Sequence, residues 1–160
     1  MDLRMHVTRA NLILAAMAGS AALLAGAFAF EHFGGLVPCI LCWYQRYPHF
    51  LAVLIGLVAL RVQGASLPVL GALAALTSAG IGVFHVGVEA DWWEGLAQCS
   101  VNTLASVSAE DLLNTDIVVG TPAACDKVAW SLFGISMAGW NVIASTTLAG
   151  LWAMAAGRRD

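Results

Sequence analysis

Four apolar runs, each about the length a helix needs to cross a bilayer, alternate with polar connections, and no other feature restricts the fold so tightly. The runs cover about 11–30, 43–60, 67–88 and 132–156. Backbone amides in lipid must find their partners within the chain, so apolar runs of this length predict helices. With 60% hydrophobic and 11% charged residues over 160 positions, there is room for a single domain, 1–160, of membrane type. The expected fold is an all-α, four-transmembrane-helix bundle, with outer connections at about 31–42 and 89–131 and a tight turn at 62–66. A cleaved signal at Ala25-Gly26-Ala27 competes for the first run, but that run exceeds the usual ~7–15 residue signal core, so a retained helix is expected.

Small residues recur every fourth position at Ala18, Ala22 and Gly26 and again at Gly71, Ala75 and Ala79. Such a stripe lets helices approach closely in lipid, although alanine-rich segments also produce it by chance. Trp43, Tyr44, Tyr47 and His49 read as an interfacial belt at the mouth of the second run, and Pro48 beside them bends a helix unless it falls in the first turn. In the long polar connection, Ser108 to Leu113 has a capping serine followed by Glu110 and Asp111, which predicts a short helix. Leu112, Leu113, Ile117, Val118 and Val119 suit a segment resting on the membrane surface.

Arg4, Arg9, Arg61, Arg158 and Arg159 fall on one side of a four-span arrangement, whereas the other side carries only Lys127 and Arg46. The positive-inside rule then makes both termini cytoplasmic. All four cysteines face outward, where disulfides persist. A net charge of -3 with no basic stripe excludes nucleic acid as a partner.

The chemistry resides in Pro38-Cys39-Ile40-Leu41-Cys42-Trp43-Tyr44-Gln45-Arg46. A C-x-x-C ring closes almost no chain, so it adds little loop entropy, and a helix start lowers a thiol's pKa toward the reactive thiolate. Arg46, four residues after Cys42, shares its helix face and favours an anion there. Resident zinc is not expected, because no second C-x-x-C or H-x-x-x-H supplies the remaining ligands. Covalent haem needs histidine at position 43, where Trp43 stands. Cys99 and Cys125 could form a loop-closing staple, but beside a C-x-x-C the combination favours thiol exchange between the pairs. With no dinucleotide fingerprint or iron-sulfur set, the electron acceptor must be borrowed, and a lipid-soluble quinone suits the location of Cys42 and Arg46.

The pattern Pro-Cys-x-Leu-Cys-x-Tyr-x-Arg at 38–46, His32 upstream, a distant cysteine pair in the last outer loop, and Trp130, Gly134, Met137 and Trp140 at the last helix resemble the DsbB family. The resemblance spans nearly the whole chain. It implies a quinone-dependent thiol oxidase of the bacterial inner membrane, with catalytic Cys39, Cys42, Cys99 and Cys125 and a DsbA-like periplasmic thioredoxin-fold partner. In the implied relay, the partner attacks at Cys99, Cys125 exchanges with the Cys39/Cys42 disulfide, and electrons leave through Cys42 to ubiquinone or menaquinone. Arg46, His85 and Glu89 are the expected quinone-binding residues. The glutamate often found before the motif arginine is Gln45 here, so Arg46 is expected to be a freer cation. Two rival readings are a membrane scaffold stiffened by disulfides, and a relay run toward reduction, as in vitamin K epoxide reductases.

Overall fold

In the computed structural model, residues 8–96, 99 and 124–158 are described, and four long helices carry nearly all of the regular structure. The expected helix at Ser108–Leu113, the apolar positions up to Val119, and Arg4 and Arg159 lie outside those residues. Helix α1 runs Arg9–His32, α2 Ile40–Ala59 and α3 Ser66–Glu89. A two-stranded hairpin, β1 Ser131–Leu132 and β2 Ile135–Ser136, precedes α4 at Met137–Gly157. Two of the helices, α1 and α3, are long and apolar enough to cross a membrane.

Three of the four helix starts have a local side-chain cause. The Thr8 hydroxyl accepts from the Asn11 amide, the Cys39 sulfur from the Cys42 amide, and the Ser136 hydroxyl from the Gly139 amide, each satisfying a donor that helix geometry leaves unpaired. The last helix begins at 137 rather than near 132 because Phe133 (φ 54°) and Gly134 (φ 77°) both adopt left-handed geometry. Two such residues make the tight turn that pairs Ser131 with Ser136 and Leu132 with Ile135. The Trp140 indole then donates to the Leu132 carbonyl at 3.2 Å and fixes the hairpin on the helix.

Helix α3 packs along α2 and α4, and α1 along α2 and α4, leaving α1 and α3 on a diagonal. The outward faces are aliphatic, including Leu51, Leu54, Leu57, Leu73, Leu76 and Ile143. The interior is made of small residues, serines and few large side chains, so hydrophobic burial alone does not hold the helices together. Of the two small-residue stripes, Gly71, Ala75 and Ala79 are buried. Ala18 and Ala22 instead point outward, and α1 buries Leu12, Ala16, Ser20 and Leu24.

Three layers make up the interior. At one end Trp152 packs with Ile13, Ala16, Ala59, Ala75 and Ala155. Buried Arg9 ties the start of α1 to the α2–α3 turn by donating to the Ala59, Val62 and Gly64 carbonyls at 3.0–3.2 Å. At the other end Leu41 and Val88 pack with Cys39, Cys99 and Cys125.

Between them lies a polar layer centred on His49, which is only 2% exposed and so is not a member of an interfacial belt. Its Nε2 reaches Ser78, Ser145 and Asn141 at 3.1–3.2 Å, and its Nδ1 reaches Ser20 at 3.3 Å, so it contacts every other helix. Ser78 donates its hydroxyl hydrogen to the Gln45 carbonyl, and Ser145 donates to Asn141 Oδ1. Those oxygens are left as acceptors, which puts the imidazole hydrogen on Nε2 and makes Nδ1 the acceptor from Ser20. Pro48, just before His49, lies two turns inside α2 and removes one amide from its ladder.

The Gly71–Trp152 contact gives a specific test. A Cβ at Gly71 would lie 2.5 Å from the indole ring, whereas one at Gly80 meets nothing within 4 Å. In detergent, Gly71→Ala is expected to lower stability by about 1–3 kcal/mol through overpacking. Gly80→Ala, with better helix propensity and open space, should be neutral or more stable by up to roughly 1 kcal/mol. Equal melting temperatures for the two variants would contradict this packing.

Candidate functional site

The C-x-x-C lies where the 33–39 connection enters α2. Cys39, extended and preceded by Pro38, is the N-cap of α2, with Cys42 in its first turn. The Cys39 and Cys42 sulfurs are 2.8 Å apart and unbonded, while the Cys42 amide donates to the Cys39 sulfur at 3.2 Å. Cys39 is buried, and Cys42 is partly exposed ahead of the apolar run 43–60.

The two thiols are driven apart in acidity. The hydrogen bond from Cys39, aided by the backbone and by Arg46, outweighs burial and brings Cys42 down to about 7. The same hydrogen bond, together with burial and the neighbouring negative sulfur, pushes the Cys39 thiol far above the ordinary range. Cys42 is therefore the thiolate of the pair and Cys39 the thiol that donates to it.

Arg46 sits one turn below Cys42 and is only 7% exposed. Its guanidinium pairs with Glu31 at 2.5 Å and lies 4.8 Å and 4.7 Å from the Phe28 and Trp43 ring centroids. The expectation of a freer cation is thus corrected. The carboxylate that position 45 lacks is supplied from the end of α1 by Glu31. Gln45 takes a different role, with its side-chain amide 2.9 Å from His85 Nδ1 and donating to the Leu41 carbonyl at 3.3 Å.

His85 Nε2 is 3.6 Å from the Cys39 sulfur and 4.0 Å from Glu89. The Cys125 backbone lies near the His85 ring, and the Ser136 side chain near the Glu89 carboxyl. Cys99 and Cys125 form a disulfide with Cα atoms 4.9 Å apart. Both are essentially inaccessible and belong to the same buried cluster as Cys39, with Cys42 packed against it. All four cysteines predicted from sequence are therefore brought together, with His85 bridging the two pairs.

Behind Cys42 a cavity of about 370 Å³ opens between α1, α2 and α4. Its size is in the range of small-molecule sites. Leu23, Ala27, Phe30, Trp130 and Trp140 give it apolar walls, while Cys42, Arg46, His85 and Glu89 form a polar edge and His49 and Asn141 line it as well. A flat, mostly apolar ring with polar substituents matches that lining. Sequence reading missed His49, Asn141 and Glu31. The first could have been found from its spacing, since Cys42, Gln45, Arg46 and His49 fall on one helical face.

The chain matches the family model for DsbB, Disulfide bond formation protein DsbB, over residues 9–155. It is 30% identical over 153 residues to Disulfide bond formation protein B of Azoarcus sp. (strain BH72), covering 90% of this chain and 91% of that one. Proteins of the same name from Marinobacter nauticus and Xanthomonas oryzae pv. oryzae (strain MAFF 311018) are each 33% identical, the former covering 77% of both chains and the latter 93% of this chain and 90% of its own. No solved structure matches the chain.

The split acidity of the dithiol is directly measurable. Because the Cys42 thiol is lowered, its thiolate is present above about pH 7 and is lost as the pH falls through that value. In the reduced protein, iodoacetamide should label Cys42 with half-maximal rate near pH 7, while Cys39 stays unlabelled up to pH values well above it. Equal profiles at the two positions, read by peptide mass spectrometry, would contradict the assignment.

Proposed function

The chain belongs to the DsbB family of disulfide bond formation proteins, and we propose that it is a quinone-dependent thiol oxidase that recharges a DsbA-like periplasmic dithiol protein. It is a membrane protein of disulfide bond formation. The observation that carries the finer reading is that both cysteine pairs share one buried cluster, with the cavity directly behind Cys42.

In this reading the four runs, 11–30, 43–60, 67–88 and 132–156, all span the inner membrane of a bacterium. The cysteine end of the helices faces the periplasm, and Arg9, Arg61 and Arg158 face the cytoplasm with both termini. The connections 31–42 and 89–131 are then periplasmic.

The relay proceeds by thiolate attack on disulfide sulfur. A partner thiolate attacks Cys99, forming a mixed disulfide and releasing Cys125 as a thiolate. Cys125 attacks Cys39 of the oxidised ring and releases the Cys42 thiolate. The partner's second thiol attacks its own sulfur in the mixed disulfide and releases Cys99, and Cys99 then attacks Cys125, re-forming the Cys99–Cys125 bond and releasing Cys39. These four attacks amount to two net disulfide transfers and move two electrons from the partner to the C-x-x-C pair. Since Cys99 and Cys125 are closed off from solvent, the first attack requires Cys99 to become exposed. Cys39 and Cys42 close again to a disulfide by losing two electrons and two protons.

A bound ubiquinone or menaquinone supplies the acceptor for those electrons and protons. Arg46 would hold the quinone with a fixed cation, Cys42 would bring the reactive sulfur to it, and His85 and Glu89, which line the same polar edge, would exchange protons with it. The walls from α1 and α4 hold the ring and exclude water. The lining fits such a molecule in size and in having few polar groups.

Cysteine variants separate the steps. Cys42→Ser should abolish turnover, while Cys99→Ala should block partner oxidation but leave the C-x-x-C ring able to form, as read by thiol trapping on gels. Wild-type behaviour of both variants would contradict the relay. Arg46→Ala should raise the apparent KM for quinone on the order of tenfold or more, the effect of losing a charge-assisted contact. An unchanged KM would remove Arg46 from the quinone site.

A further inference from the structure

Cys39, Cys42 and His85 converge in a way that disulfide exchange does not require. Their three ligand atoms all lie within 4.8 Å of one another, although His85 is contributed by a different helix. We propose that in the dithiol state they form a three-residue binding site for a thiophilic divalent cation of the zinc class, with the fourth position left to a water or to Glu89 swinging in. The inference needs only a reduced C-x-x-C pair and does not depend on which acceptor normally empties it.

The distances support tetrahedral coordination. Metal bonds of about 2.3 Å to sulfur and 2.0 Å to nitrogen put two tetrahedral sulfurs about 3.8 Å apart, and a sulfur and a nitrogen about 3.5 Å apart. Cys39 Sγ and His85 Nε2 already stand at 3.6 Å. The two sulfurs, at 2.8 Å, must separate by about an ångström, which rotation of the partly exposed Cys42 side chain can supply. The Cys42 amide donates to the Cys39 sulfur and continues to stabilise it as a thiolate ligand. Glu89 Oε1 is 4.0 Å from Nε2 but lies outside the three-atom cluster, so it reaches the metal only by a side-chain rotation.

A ligating histidine usually has its other ring nitrogen held by a neighbour, and here the Gln45 side-chain amide lies 2.9 Å from Nδ1. Turning that amide over presents its oxygen to an Nδ1 hydrogen and frees the Nε2 lone pair for the metal. The turn gives up the 3.3 Å bond to the Leu41 carbonyl. Binding requires both sulfurs as thiolates and so releases the proton they share, leaves the sulfur oxidation state unchanged and prevents ring closure, whereas oxidation to the disulfide expels the ion. The site is thus a metal-sensitive brake on the dithiol.

The test uses the full chain in detergent, reduced, freed of reductant and titrated anaerobically with Co²⁺. The reduced protein should take up one equivalent, with the visible bands of tetrahedral cobalt and a thiolate-to-cobalt absorption, and the oxidised protein none. His85→Ala should weaken binding about tenfold or more, the scale on which metal sites respond to loss of a supporting group. His85→Cys should retain binding with stronger thiolate absorption, which shows that the fold survives change at this position. Uptake should persist in the Cys99→Ser/Cys125→Ser chain. Absence of uptake by the reduced protein, an unaltered spectrum and affinity in His85→Ala, or loss of uptake in the double-serine chain would each overturn the proposal.

Discussion

A guanidinium held in an apolar interior must be neutralised, because an unpaired buried charge costs several kcal/mol, and the site depends on how Arg46 meets this requirement. Glu31 and the Ala27 carbonyl accept its hydrogens, and Phe28 and Trp43 present their ring faces to it. Three of those partners come from the last two turns of α1, so the ion pair fixes the end of α1 against the start of α2. The cation in turn lies one turn from Cys42 and contributes to its thiolate character. A single buried charge therefore sets a helix contact, the edge of the cavity and the acidity of the reactive sulfur.

The same economy governs the layer below. Outward-facing leucines carry no specificity between helices, since lipid solvates them as well as another helix would. Register has to come from close packing and from hydrogen bonds, and the His49 layer supplies a bond from α2 to each of the other three helices. Ser78 extends that layer by bonding the Gln45 carbonyl, and the Gln45 side chain reaches His85 beside Cys39. The cysteine end is thus connected through hydrogen-bonded groups to the middle of the helix set, and its geometry is held from within.

Much of this was legible before any coordinates. Apolar run length located all four helices to within a few residues, except that α4 starts at 137, because the left-handed turn at Phe133-Gly134 is set by local backbone geometry that hydropathy does not report. The C-x-x-C and its arginine were evident from spacing. What spacing could not show was pairing between distant segments. Glu31 fell in the outer connection expected at about 31–42 and proved to be the counterion of Arg46. His49 read as an interfacial residue because aromatic neighbours surround it in sequence, yet its helical face is that of Cys42 and Gln45. Gln45 itself looked like the loss of a carboxylate, whereas in three dimensions it orients His85.

The central claim is that electrons from a partner dithiol leave through this site to a quinone. The most direct measurement mixes the purified protein, without oxygen, with a reduced DsbA-type dithiol protein and ubiquinone, following quinone absorbance and partner thiols together. The account predicts that one quinone is reduced for each partner disulfide formed. Partner thiols that stay reduced while quinone remains oxidised, in protein shown to be folded, would contradict it and leave the cysteine pairs as structural bridges.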